Sequence, residues 1–264
     1  LRKYLDAGER LGLPVWMGET GENKNTWYAA LYPLAQSLQI GFNLWPWKKM
    51  DCTNSFCSIK VPEGYEEILA YLEGGIRPAR ERAQAVLNAY LENIRFENCT
   101  LHPETADHVF RRRAFTLQAV DFDELPGEGR SFHGLCHGAK PYRKHTSMEI
   151  VEMHPAGEKA FAFDCGWDRY GLALGPDEFA VYSFSGAGGK IAVEVTFADE
   201  SDGEADVELM GGKAVPVRIR PEAQMPVELD AVCADPEGTE RLKISGVSGR
   251  LVLDQIRVKC IDKV

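Results

Sequence analysis

The sequence contains no apolar run long enough to cross a membrane and no excess of basic residues. Lysine and arginine number 30 against 40 aspartates and glutamates, which gives a formal net charge of −10 over 264 residues. A membrane-spanning helix needs about 20 consecutive apolar residues, and binding to nucleic acid requires a basic surface. We therefore expect no membrane and no nucleic-acid partner. A neutral or cationic ligand is favoured.

The seven cysteines include no Cys-x-x-Cys pair. Neither a zinc site of the usual kind nor a closed set of disulfides is therefore indicated. We expect free or buried thiols, which are typical of proteins from a reducing compartment. The cysteines are Cys52, Cys57, Cys99, Cys136, Cys165, Cys233 and Cys260.

The sequence also lacks a signal peptide, an initiator methionine and a Gly/Ser-rich linker between residues 76 and 114. Residues 1–11 already carry a helical apolar pattern, so we expect the chain to begin inside a larger fold. A chain of this length has room for two domains. Because no flexible linker separates them, we expect the two parts to pack together.

Helical and strand patterns alternate in the first part of the chain. Helical patterns at 1–11, 25–38 and 65–72 surround two apolar strand patterns at 13–18 and 40–45. Strands joined by a helix are parallel neighbours, because such crossovers are right-handed. Two parallel strands need further strands and helices around them. The sequence therefore predicts an incomplete α/β unit at residues 1–76.

Residues 77–113 predict a connector. An amphipathic helix over 77–96 is long enough to brace two domains. A polar link over 97–113 follows it, and its arginine run, 111–113, is expected to be either solvated or a domain contact.

From residue 114 onward the pattern changes to short alternating segments, one of them at 160–163, separated by Gly-rich joints. This spacing is typical of an antiparallel β-sandwich. The predicted fold class is therefore multidomain, α/β followed by an all-β sandwich of jelly-roll type at 114–264.

Glu19 is the principal candidate for chemistry. It directly follows an apolar strand pattern, at the carboxyl end where parallel α/β folds keep their functional groups. A capping or solvated loop glutamate is the alternative.

Residues 14–23 (PVWMGETGEN) and 41–49 (GFNLWPWKK) together resemble the last two strands of glycoside hydrolase family 5, the cellulase family of (β/α)₈ barrels. The resemblance covers about residues 1–75. It implies that Glu19 is the nucleophile of a retaining mechanism and that Trp45, with Trp47 beside it, lines the sugar site. Sugar rings present apolar C–H faces that stack on aromatic planes. Packing against a helix is the alternative for both tryptophans.

The resemblance also implies a β-linked oligo- or polysaccharide substrate, an endoglucanase-like activity and an extracellular location. A retaining glycosidase needs a second carboxyl group about 5 Å from the first. Nothing in this sequence corresponds to it, so we expect the acid/base and the N-terminal barrel portion to lie outside this chain, which alone should be inactive. The alternative is a non-catalytic carbohydrate-binding or structural module.

Residues 117–122, 142–143, 148–150 and 253–258 resemble carbohydrate-binding modules of family 6. This resemblance implies a sandwich with a structural calcium, for which Gln118 and Asp254 stand at ligand-type positions while Val120 replaces a usual acid. Calcium binding is therefore expected to be weak, and no other cofactor is required. The candidate sugar platforms are Trp167, Tyr142, Tyr170 and Tyr182, for each of which a role in the core or between domains is the alternative.

Overall fold

The computed structural model describes residues 1–125, 129–155, 166–186, 189–211, 216–222, 225–230 and 238–261. The predicted strand at 160–163 and two of the cysteines, Cys165 and Cys233, lie outside these ranges. Within them, no helix has both the length and the apolar character needed to cross a membrane.

The N-terminal part contains five helices and five short strands within the described residues. They are α1 (Arg2–Leu11), β1 (Trp16–Gly21), α2 (Asn25–Ser37), β2 (Gly41–Trp45), β3 (Lys48–Met50), β4 (Cys57–Ile59), α3 (Tyr65–Leu72), α4 (Arg80–Asn93), β5 (Thr100–Leu101) and α5 (Pro103–Val109).

The predicted parallel neighbours are confirmed. β1 and β2 pair in parallel, with Trp16 opposite Gly41 and Gly21 opposite Trp45, and α2 is the crossover between them. In the described part of the chain these strands form a sheet of two, and β3, β4 and β5 form a separate small sheet. A barrel is therefore not formed by the described residues.

The second part is an antiparallel β-sandwich, as the sequence predicts. Its strands are β6 (Ala114–Gln118), β7 (Phe132–His133), β8 (Glu149–Glu152), β9 (Tyr170–Leu174), β10 (Phe179–Ser185), β11 (Lys190–Phe197), β12 (Asp202–Leu209), β13 (Val217–Ile219), β14 (Val227–Asp230) and β15 (Thr239–Cys260).

One long strand, β15, belongs to both layers of the sandwich. Its first half pairs with β12 and β10, with β13 and β7 beyond them. Its second half pairs with β11 on one edge and with β6 and β9 on the other, with β14 and β8 outermost. Side chains from both halves, such as Leu242 and Ile256, share one buried core.

Glycines permit the bend of β15. Gly249 lies opposite Gly203, and a Cβ atom on Gly249 would stand 1.9 Å from the Asp202 carbonyl oxygen. Its φ of 65° is also one that other residues rarely adopt. The sequence predicts two separate strands here, at 240–244 and 250–259, because the glycines resemble a turn.

The contact between the two parts is made by α2 and α5 on β6. Ala29 of α2 is fully buried in the sandwich core, while Tyr28 and Tyr32 of the same helix pack with Val109 of α5. The prediction that the helix at 77–96 braces the two domains is thus corrected. α4 packs on α3, buries Val86 and leaves Leu91 57% exposed, because its apolar stripe meets a neighbouring helix and solvent rather than the sandwich.

Candidate functional site

Glu19 lies on the open face of the two-stranded sheet. The next residue, Thr20, points toward α2, where the Tyr32 hydroxyl is 2.6 Å from its Oγ1. Thr20 Oγ1 donates to the Asn43 carbonyl at 2.6 Å, so the Tyr32 hydroxyl must donate to Thr20. The strand register shifts between Met17 and Thr20, so Gly18 and Glu19 together stand opposite Asn43, on the face away from α2. It is exposed, and no described residue makes a hydrogen bond or ion pair with its carboxylate.

Because side chains alternate along a strand, β2 places Asn43 and Trp45 on this open face. Phe42 and Leu44, between them, pack with the tyrosines of α2. Asn43 Nδ2 donates to the Gly18 carbonyl at 3.2 Å, and the Trp45 side chain is 53% exposed. Trp45 ends β2, as expected. Glu19 lies inside β1 rather than directly after it, because the strand runs from Trp16 to Gly21 instead of over the predicted residues 13–18.

Trp16 adds an aromatic ring to this face that the sequence analysis did not single out as a site residue. Its side chain is 63% exposed and lies over Gly41, where a Cβ atom would come within 2.9 Å of its ring. The signal was present in the sequence, because Trp16 and Gly41 begin the two strands whose parallel pairing was predicted.

Glu22 is held away from any role as the second carboxyl group. Its carboxylate forms an ion pair with Lys49, and this hydrogen bond raises the pKa of the Lys49 ammonium. Its amide donates to the Trp45 carbonyl at 3.2 Å. Glu22 therefore fixes the loop after β1 against β2 and β3.

Trp47 lies in a different place. Its ring meets that of Phe56 edge to face, with 4.7 Å between centroids. Both rings line an apolar cleft of about 450 Å³, to which Phe96, Leu101 and Phe110 also contribute. Neither Glu19 nor Trp45 is among the described residues of its lining. The structure thus does not join Trp47 to the Glu19 face.

Three of the four candidate sugar platforms are core side chains: Trp167, Tyr170 and Tyr182. Tyr182 is 1% exposed and its hydroxyl donates to the Ala119 carbonyl at 2.7 Å, while Trp167 is 3% exposed. A ring needs an open face to stack on a sugar, and Tyr170 is only 8% exposed, so the structure corrects these three predictions to packing roles. Tyr142 and Tyr170 are stacked on each other, with centroids 5.7 Å apart.

A cleft of about 690 Å³ lies between the N-terminal helices and the sandwich. Leu31 and Trp27 belong to its apolar wall, and Asp121, Glu124 and Arg143 to its polar wall. Its volume lies in the range of small-molecule sites. No pattern in the sequence pointed to this cleft, because its two walls come from different parts of the chain.

Asp121 is the buried carboxylate of this cleft. Burial raises its pKa to about 6, against the opposing effects of a hydrogen bond from Trp167 Nε1 at 2.8 Å and of the nearby Arg143. Burial also acts to raise the pKa of the neighbouring Glu124. The charge of Arg143 and a 2.7 Å hydrogen bond with His145 outweigh this effect, so the pKa of Glu124 is lowered. The Asp121 carboxylate therefore takes up a proton as the pH falls through about 6, whereas Glu124 stays ionised to lower pH.

Gln118 and Asp254 are the two calcium positions of the family resemblance that carry oxygen side chains. Gln118 Oε1 is buried without a hydrogen-bond partner, and burial raises the pKa of Asp254. Val120 is fully buried in the core. No cluster of three His, Cys, Asp or Glu side chains occurs among the described residues. Calcium takes six to eight oxygen ligands, and these two residues do not supply such a shell.

The sequence matches no protein-family model and no curated protein. Solved structures similar to the chain include carbohydrate-binding modules and glycan-active enzymes. One is a family 36 module of a xylanase from the hindgut metagenome of Trinervitermes trinervoides, at 11% identity and a TM-score of 0.32, covering 57% of this chain and all of that one.

Two further similar structures are family 6 modules. The C-terminal module of a laminarinase from Zobellia galactanivorans has 12% identity and a TM-score of 0.32, covering 56% of this chain and all of that one. A module of Cellvibrio mixtus lichenase 5A, solved with cellotriose, has 15% identity and a TM-score of 0.30, covering 56% of this chain and 97% of that one. Scores this low give no information about the ligand of this chain.

Proposed function

We propose that this chain is the C-terminal portion of a retaining glycoside hydrolase that acts on β-linked polysaccharide, with Glu19 as its nucleophile. The N-terminal part would be the last two units of a (β/α)₈ barrel of the family 5 kind. The carrying observation is that Glu19, Asn43 and Trp45 share the open face of two parallel strands, opposite the crossover helix.

This face suits a sugar site. Trp45 and Trp16 are more than half exposed and offer apolar planes for the C–H faces of a sugar ring. Glu19 offers an accessible carboxylate that could attack or stabilise the cationic anomeric centre. In a closed barrel the face opposite the helices is the interior, so further strands would convert this exposed surface into a cleft.

The general acid/base would come from outside this chain. In a retaining mechanism it stands about 5 Å from the nucleophile, protonates the leaving oxygen and later activates water. Glu22, the other carboxylate near this strand end, forms an ion pair with Lys49. A cleavage site and its sugar subsites would thus be completed by upstream strands.

The test compares this chain with the same chain extended by its upstream residues, using release of reducing sugar from soluble β-glucans. The chain alone should show no turnover. The extended protein should be active, and Glu19→Gln should reduce its rate at least about 10³-fold, because the amide keeps the shape but removes the nucleophilic charge. Glu9→Gln, the same change on the exposed face of α1, is the matched control.

A covalent intermediate distinguishes a nucleophile from a positioning residue. An activated 2-deoxy-2-fluoro glycoside slows hydrolysis of the glycosyl-enzyme and should leave a sugar on the peptide that contains Glu19. Full activity of the Glu19→Gln protein, or a label on another carboxylate, would refute the assignment.

The second candidate function is a non-catalytic carbohydrate-binding or structural accessory module. The observation that favours it is the complete core of the sandwich, which contrasts with a parallel sheet of only two strands among the described residues. Affinity electrophoresis in soluble β-glucan separates the two candidates. An accessory module would bind glucan equally well with Glu19→Gln, and the extended protein would remain inactive.

A further inference from the structure

Strand β1 contains a β-bulge, in which two residues stand opposite one residue of β2. The two residues are Gly18 and Glu19, and their single partner is Asn43. With regular alternation Glu19 would turn toward α2, and the extra residue turns it to the open face instead. No described residue makes a hydrogen bond or ion pair with its carboxylate. The backbone of the bulge therefore fixes the direction in which Glu19 points.

Side-chain hydrogen bonds tie both ends of this bulge to Asn43. Thr20, which directly follows the bulge, donates from Oγ1 to the Asn43 carbonyl at 2.6 Å. At the other end, Asn43 Nδ2 donates to the Gly18 carbonyl at 3.2 Å. A bulge locally disrupts the hydrogen-bond ladder between strands. These side-chain bonds therefore hold the two strands together where the ladder is interrupted.

Tyr32 of α2 holds Thr20 in this position from the helix side of the sheet. Its hydroxyl donates to Thr20 Oγ1 at 2.6 Å, because that oxygen uses its own hydrogen for the Asn43 carbonyl. The Tyr32 ring is 1% exposed and packs with the rings of Tyr28 and Phe42, at centroid distances of 5.7 Å and 4.6 Å. Burial raises the pKa of the Tyr32 hydroxyl, which therefore stays protonated and able to donate at neutral pH. A chain of hydrogen bonds thus runs from a buried ring of α2 to the bulge.

We propose that Tyr32 and Thr20 are positioning residues, which hold the Glu19 carboxylate in the geometry needed for attack on the anomeric carbon. This role rests on the proposed function, because it acts through Glu19 as the nucleophile. An attacking atom must stand about 3–3.5 Å from the carbon, and a misplacement of about 1 Å can lower the rate on the order of 10²-fold. Both side chains lie on the α2 side of the sheet, so neither would contact the sugar. Loss of either hydroxyl should therefore lower kcat and leave KM nearly unchanged.

The first test uses this chain and does not depend on activity. Tyr32→Phe removes only the hydroxyl, so amide hydrogen exchange in residues 16–21 and 41–45 should become about 3- to 10-fold faster as the bulge opens locally. Tyr28→Phe is the matched control, because this fully buried tyrosine of the same helix donates to the Asn54 carbonyl at 2.8 Å rather than to Thr20. Exchange in the two strands should stay at the wild-type rate in this control.

The second test uses the chain extended by its upstream residues. Tyr32→Phe and Thr20→Val should each reduce kcat by about 10- to 10²-fold, with a change of less than about 3-fold in KM. Thr20→Ser retains the hydroxyl and should recover most of the rate. Tyr28→Phe should stay within about 2-fold of the wild-type kcat, although it removes the same group from the same helix.

The outcomes separate the positioning role from the function on which it rests. In the extended wild-type protein, no turnover, or a fluoro-sugar label on a carboxylate other than Glu19, refutes the proposed function and the positioning role with it. A label on Glu19 together with wild-type kcat in both Tyr32→Phe and Thr20→Val overturns the positioning role alone. Unchanged hydrogen exchange in Tyr32→Phe also overturns it, because the hydroxyl would then not hold the bulge.

Discussion

Arg111 is a fully buried cation at the junction between α2 and the sandwich. Its guanidinium donates to the Ala29 carbonyl at 2.7 Å and to the Ser183 carbonyl at 2.9 Å, and it lies 3.5 Å from Asp123. Burial lowers its pKa, although Asp123 and Asp121 oppose that effect. Of the two alternatives for the arginine run, this residue is the domain contact, whereas the adjacent Arg112 is exposed.

We expect Arg111→Ala to lower the free energy of unfolding by about 3–5 kcal/mol, because it removes the donors that reach buried carbonyls and the positive charge beside Asp123. Arg112→Ala, the same change one residue away, should cost less than about 0.5 kcal/mol. Urea denaturation of both variants provides the measurement. Equal losses of unfolding free energy in the two variants would show that the buried contacts of Arg111 do not stabilise the fold.

Asp121 should make stability depend on pH. The unfolded chain releases this proton near the ordinary pKa of 3.8, and the folded protein near 6. Between these values the folded state binds more protons, so stability falls as the pH rises from 4 to 6, by on the order of 3 kcal/mol. Above pH 6 this contribution is constant.

Asp121→Asn should reduce the loss of stability between pH 4 and 6, because the amide stays neutral at every pH. Its oxygen can still accept the hydrogen bond from Trp167. Urea denaturation at several pH values tests this expectation. Glu73→Gln, an exposed acid at the end of α3, is the control and should leave the wild-type slope unchanged. An Asp121→Asn protein with the wild-type slope would show that other groups set the pH dependence.

At the level of elements, α2 rather than α4 joins the two parts. Ala29 is fully buried between α2 and the sandwich, so Ala29→Leu should overpack that contact and cost about 1–3 kcal/mol. Ala89→Leu places the same side chain on an exposed position of α4 and should be nearly neutral. Thermal melts compare the two. A larger loss at Ala89 would restore the bracing role to α4.

The bend of β15 depends on space as well as on backbone angle. Gly249 and Gly12 have nearly the same φ, 65° and 64°, but only Gly249 lacks room for a Cβ atom. Gly12→Ala should therefore cost about 1 kcal/mol from backbone strain alone. Gly249→Ala should cost several kcal/mol, since the carbonyl of Asp202 must move. Similar losses of unfolding free energy in the two variants, measured by urea denaturation, would mean that the backbone around Gly249 moves to accept a Cβ atom without cost.

At the level of the whole molecule, we expect the stability of the chain to be nearly independent of calcium. Gln118 and Asp254 supply too few oxygen atoms for the ion, and Val120 occupies the core. Adding EDTA or excess calcium should shift the melting temperature by less than about 2 °C, with magnesium as the control ion. A drop of roughly 5 °C or more with EDTA, worth at least about 1 kcal/mol, would contradict this expectation.

Local patterns in the sequence determined the parallel βαβ unit and the change to antiparallel strands at residue 114. Each depends on neighbours within a few residues, because strand alternation, helix periodicity and crossover handedness are local rules. The sharing of one face by Glu19 and Trp45 did not follow from these rules, because strict alternation from Trp16 would turn Glu19 toward α2 and only the register shift after Met17 turns it outward.

Tertiary structure alone decided which side chains face solvent and which elements meet. Tryptophan, tyrosine and arginine also occur at surface binding sites, so residue type alone did not show that Trp167, Tyr182 and Arg111 are buried. Their burial depends on strands that are distant in sequence. The docking of α2 and the single bent strand β15 also depend on long-range packing. No local period records such contacts, because they arise when separately formed surfaces come together.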